Sequence, residues 1–233
     1  MNNLFIHNSM EMEQLAVQMG ILPFFRSRIP TFSIEDHTPA DYWFSDEHEG
    51  PWDWKGIVIR EGHCAYGKFF NKKAAYITLE LFPHLINYRR HTDVSRRTSD
   101  QRELDRIVLE VIRENGEVTV KQLRQQLDFA SRRGKHTAEK DRAEGKLPIE
   151  PIMERLMHDT HVVIADFEYS LDKHGKSYGW GVARYTTPEA LYGSILVNNA
   201  EQYTPEQSYQ ILKETLRNNF PDIAEKTIEA FLK

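Results

Sequence analysis

Apolar side chains recur at Leu104, Ile107, Val108, Val111 and Ile112, the i, i+3, i+4, i+7, i+8 spacing of a helix with one buried face. The pattern predicts a helix over residues 99–114, stopped by Asn115-Gly116. Val118 then makes a short extended step. Thr119, followed three positions later by Gln122, has the capping-box spacing of a second helix carrying Leu123 and Leu127. Beyond a polar insert, Ile149, Ile152, Met153, Leu156 and Met157 mark the buried face of a third helix that runs to His158. VVIADFEY and SYGWGVARY, rich in β-branched and aromatic residues, flank LDKHGK, whose Gly175 suits a hairpin loop.

The same reading covers the two ends. A short helix from Met10 to Met19 ends at Gly20, since glycine enters the left-handed conformation without steric cost. Irregular chain punctuated by Pro23, Pro30 and Pro39 leads to DYWFSDEHEGPWDW, read as a loop pinned by Trp43, Trp52 and Trp54. GIVIRE and AYGKFF are expected as strands joined around Gly62, with AAYI following the turn Asn71-Lys72-Lys73. A small sheet over 55–77 and a helix over 79–90, capped by Thr78, complete this region. Thr204-Pro205-Glu206-Gln207 opens a C-terminal helix with Tyr209, Leu212 and Leu216 on one face, and Pro221 starts another with Ile223, Ile228, Phe231 and Leu232. The last apolar side fits packing on the same chain and dimerisation alike, so the oligomeric state stays open. The expected fold class is α+β: an N-terminal region over 1–98, a winged-helix domain over 99–187 with its small antiparallel sheet, and a C-terminal helical segment over 188–233.

Composition narrows the setting. With 233 residues, 40% hydrophobic, the chain can bury a proper core. No apolar run approaches the length of a membrane span, and no Lys or Arg precedes Arg26, so no membrane partner is expected and the location is read as cytoplasmic. The lone Cys64 suits a reducing compartment and reads as a small buried hydrophobe. The net charge of -5 conceals an asymmetry: residues 1–54 carry -7, residues 55–97 carry +6 and residues 187–233 carry -3. A basic middle between acidic ends presents a face to phosphate, or is neutralised across an internal interface.

The basic residues expected to meet DNA are therefore Lys72 and Lys73, Arg89 and Arg90, Arg132, Arg133 and Lys135 in the insert, and Lys173, His174 and Lys176 at the hairpin tip. In winged helices the third helix normally enters the major groove, but here its solvent side carries Glu150 and Glu154 beside Arg155, and carboxylates discourage phosphate contact. Asp166 and Glu168 share one face of a strand, a pairing capable of acid–base work but commoner as a solvated edge. His158 and His161 have His-x-x-His spacing without the further ligands of a tetrahedral site, so no metal is expected. Neither a P-loop, a Gly-x-Gly-x-x-Gly nor a Gly-x-Ser-x-Gly occurs, and no cofactor is expected.

Three stretches carry a family resemblance. FFNKKAAYITLELFP, IVLEVIRENGEVTVKQL and ARYTTPE stand in the order and spacing of motifs in the AlkZ/YcaQ bacterial DNA glycosylases, with Ala74, Glu80, Phe82 and Pro83 in matching places. About residues 55–190 resemble that superfamily, and more closely its uncharacterised AlkZ-related proteins. The resemblance implies tandem winged helices and duplex DNA as partner. It also implies a Gln-x-Gln or Gln-x-Asp pair that handles the attacking water, where GILPFF places Pro23, Phe24 and Phe25, and a His-Glu where Lys72-Lys73 stands. Base excision needs a general base or a stabiliser of the sugar cation, and apolar side chains supply neither. No catalytic residue is therefore assigned, and the expectation is a non-catalytic DNA-binding protein. The alternatives are a glycosylase acting on alkylated or crosslinked DNA and a winged-helix protein-interaction module.

Overall fold

The computed structural model describes residues 5–45, 47–92, 97–130, 143–171, 173 and 177–233. Helix α1 (Ser9–Met19) is capped by the Asn8 side chain, which accepts from the Glu11 N–H, and ends at Gly20 with φ 73°. Strand β1 (Ile21–Pro23) follows where irregular chain was expected. After a short α2 (Ile34–His37), helix α3 spans Pro51–Glu61. Strands β2 (Cys64–Phe70) and β3 (Lys73–Thr78) lead into α4 (Phe82–Thr92).

The expected strand at GIVIRE is thus a helix. Ile57, Val58 and Ile59 favour strands locally, but the segment lies between strong helix boundaries. The Asp53 carboxylate accepts from the Gly50 N–H at 3.0 Å, Pro51 occupies the first turn, and Gly62 closes the helix in the left-handed conformation. One face then buries Trp54, Val58 and Ile59. The vacant sheet position is taken by β1, giving antiparallel order β1-β3-β2 with Pro23 opposite Ala75 and Cys64 opposite Thr78.

Helix α5 (Ser99–Asn115), strand β4 (Val118–Thr119), helix α6 (Val120–Gln126), helix α7 (Glu150–His158) and strands β5 (Val163–Leu171) and β6 (Ser177–Thr186) follow in the order the pattern predicts. The capping box Thr119/Gln122 forms, and the second sheet has antiparallel order β4-β6-β5. Short helices α8 (Pro188–Tyr192) and α9 (Ser194–Val197) precede α10 (Pro205–Asn219) and α11 (Glu225–Leu232).

One hydrophobic cluster runs through all three segments. Phe231 of α11 stacks on Phe70 of β2 at 4.8 Å and meets Phe32 edge-on, and Tyr66 of β2 meets Phe167 of β5. The apolar side of α11 is therefore covered by its own chain. The molecule is α+β, with two small antiparallel sheets among helices, and no described helix is long and apolar enough to cross a membrane.

Candidate nucleic-acid interface

The pairing of Pro23 with Ala75 brings two distant stretches together. The chain leaving β1 carries Phe25, Arg26 and Arg28, and the β2–β3 turn carries Asn71, Lys72 and Lys73. That turn is tight, with Asn71 at φ 49° and Lys72 at φ 61°. Asn71 holds it to α11 by donating to the Ala230 and Phe231 carbonyls at 3.4 Å. Between them opens a groove of about 510 Å³ with an apolar floor of Pro23, Ile29, Phe70 and Phe231 and a rim of Arg26, Arg28 and Lys73. Among the described residues no carboxylate and no imidazole lines it.

The cations on this rim differ in how far they are engaged. Arg26 donates to Asp36 at 2.9 Å, and Lys73 donates to the Arg26 carbonyl at 2.8 Å. Lys72, on the same turn, faces Glu154 of α7 at 3.4 Å, and Lys68 approaches that carboxylate at 3.8 Å. Arg28 is exposed and has no ion pair among the described residues. Phe25 stacks on Trp43 at 5.9 Å and leans on Trp52, while Phe24 and Trp54 are buried. The tryptophans thus anchor the wall of the groove, with Trp52 and Trp54 on α3 instead of in a loop.

Of the ten expected contact residues, Lys73 lines this groove, and Lys72, beside it on the same turn, points to Glu154 instead. Arg89 does not reach any surface: it is 4% exposed and donates to the Leu232 and Lys233 carbonyls at 2.6 and 2.7 Å, tying down the end of α11. Its terminal N–H groups serve backbone carbonyls inside the fold and are not turned to this groove. Arg90 lies in a different cleft, donating to Glu189 at 2.6 Å and to the Thr160 carbonyl at 2.9 Å. Lys173 is exposed at the hairpin tip. Arg132, Arg133, Lys135, His174 and Lys176 lie outside the described residues.

The third helix, α7, buries the face that its spacing predicts. Ile152, Met153, Leu156 and Met157 pack against α5 and β2, and only Pro151 is exposed along its length. Its carboxylates are neutralised: Glu150 by Arg124, and Glu154 by Lys68 and Lys72. Arg155 grips Asp105 at 2.5 and 3.0 Å. Packed on one side against α5 and β2, and with ion-paired, only partly exposed side chains on the other, α7 offers few free groups to a major groove.

The remaining candidates are occupied by structure. Asp166 is held by Arg60 and Glu168 by Arg184, each at 2.6 Å. His158 faces Asp159 at 3.1 Å and the Lys233 carbonyl at 2.9 Å. Burial pushes the Cys64 thiol up to about 12, so it is no nucleophile at neutral pH. Among the described residues no cluster of three or more His, Cys, Asp or Glu could hold a metal. Arg26 and Arg28, which the sequence reading passed over, are the only cations in its first 54 residues and directly follow GILPFF; that isolation in an acidic segment was the available signal.

A family model described as AlkZ related matches residues 6–233. No curated protein and no solved structure matches the chain.

Proposed function

The chain belongs to the AlkZ-related family, and from that premise we propose that it is a non-catalytic, winged-helix DNA-binding protein. One observation carries the reading. Pro23 and Phe25 from one of the stretches that resemble the glycosylases' site, and Lys73 from the other, about 50 positions on, line one groove, and among the described residues that groove has cations on its rim but no carboxylate or imidazole to serve as general base. A cationic rim over an apolar floor suits the phosphates and bases of nucleic acid.

Residues 99–187 supply the winged helix, supported by the order helix, strand, helix, helix, strand, strand and by the sheet order β4-β6-β5. Arg28, Lys72 and Lys73 contact the phosphates, joined by the insert's Arg132, Arg133 and Lys135 and by Lys173, His174 and Lys176. Because α7 is covered, base edges are not read through it, and affinity rests on the backbone.

Fluorescence anisotropy with random duplex, single-stranded and branched DNA at about 50 mM salt tests this reading. Binding should weaken as salt rises, and Arg28→Glu with Lys72→Glu should flatten the slope of log affinity against log salt by about 0.9 per lost contact. Absence of binding to every form removes the proposal. Release of free base from alkylated duplex would restore the glycosylase alternative.

A further inference from the structure

A second cleft lies away from the groove, between α4, the start of α5 and the end of α7. Its cavity measures about 220 Å³, against about 30 Å³ for one water's share of the liquid. Among the described residues five arginines and two aspartates line it, so their balance is positive before any pairing is counted.

The pairing leaves donors over. Asp105 is consumed by Arg97 at 3.1 Å and by Arg155, and Asp159 is bound by Arg97 as well. Arg106 is engaged by Glu103 and Glu110 of its own helix. Arg102 donates to the Arg97 carbonyl at 2.6 Å and has no carboxylate partner among the described residues. Arg90 uses both terminal nitrogens within the fold, so it adds charge to the cleft but no free terminal donor. The His161 ring lines the same cavity and has no hydrogen-bond partner among the described residues.

His161 reports the sign of the field. Burial first, then Arg90, Arg97 and Arg113, hold its imidazolium form down to about 4, against the opposing Glu189. At neutral pH the ring is therefore uncharged and offers one N–H, inside a positive cavity.

We propose that this cleft is a phosphate-group binding site, with Arg102 and the His161 ring N–H as its donors. The ligand chemistry is a tetrahedral oxyanion, supplied either by a small phosphorylated molecule or by a nucleic-acid backbone. The site stands whether or not the groove binds DNA.

The test follows the His161 ring protons by NMR in the full chain at constant ionic strength, with inorganic phosphate in one arm and a short duplex in the other. A bound anion should shift these signals saturably and raise the pH at which the ring protonates, by offsetting the arginines' field. Arg102→Gln should weaken the effect about tenfold or more, the usual worth of one charged hydrogen bond. A response to phosphate points to a small ligand, and a response to duplex alone, retained in Arg28→Glu/Lys72→Glu, points to a backbone phosphate. If neither probe moves His161, or if Arg102→Gln responds as the wild type does, the site does not exist.

Discussion

Lys55 is a lysine placed where lysines are rarely found. It is 5% exposed, and its amine lies 4.0 Å from the Phe167 ring centroid and 5.2 Å from that of Trp52. Burial pulls its pKa down to about 8, with nearby Asp53 opposing. Between about pH 8 and 10.5 the unfolded chain holds this proton and the folded chain does not, so stability rises with pH across that window. Below pH 8 the full cost is present, up to about 3 kcal/mol. Two desolvated cation–π contacts return about 2 kcal/mol. Burial wins narrowly, and Lys55→Met should be more stable than wild type by about 1 kcal/mol at pH 7. The advantage should vanish towards pH 10.5, as urea unfolding at both pH values would measure; a variant weaker at pH 7 would show that the rings outweigh desolvation.

At the scale of elements, α11 depends on a side chain from α4. Arg89 satisfies the Leu232 and Lys233 carbonyls, and Phe231 supplies the apolar contact to Phe70 and Phe32. Arg89→Met leaves the buried Leu232 carbonyl unpaired, while the Lys233 carbonyl keeps His158, and should cost about 1–3 kcal/mol. Hydrogen exchange should show the loss first in the amides of α11, while duplex binding at low temperature stays as in wild type. A large binding defect in a fully folded Arg89→Met chain would put Arg89 at the interface after all. Helix α7 makes the complementary case. Glu154 is shared by Lys68 and Lys72, both partly exposed, and such pairs are worth under about 1 kcal/mol. Glu154→Gln should leave stability nearly unchanged yet free a positive charge beside the groove, strengthening duplex binding about two- to fivefold at low salt. Weaker binding by this variant would show that Lys72 does not meet phosphate.

Over the whole molecule, the covered α7 and the cationic groove predict binding that follows backbone charge and ignores base sequence. Competition among duplexes of equal length and different sequence should give affinities within a few-fold of one another, each falling steeply with salt. Strong preference for one sequence would mean that another element reads base edges. Much of the architecture was legible before any coordinates. The spacing of Leu104 to Ile112, the capping boxes Thr119/Gln122 and Thr204/Gln207 and the stop at Gly20 are signals completed within a turn or two of helix, and each element formed as read. Tertiary structure alone decided three matters. It made GIVIRE a helix, because burial of Trp54, Val58 and Ile59 on one face outweighs a β-branched run. It took both Arg89 and Arg90 away from the groove and gave them different partners, the α11 end carbonyls for one and Glu189 with the Thr160 carbonyl for the other, because successive helix positions point about 100° apart. And it joined residues 23–28 to residues 71–73 through a strand pairing that spans some fifty residues. Patterns repeated every few residues fix which element forms, whereas the direction of a long side chain and the partner of a strand edge depend on contacts between residues far apart in the chain, which no short window of sequence contains.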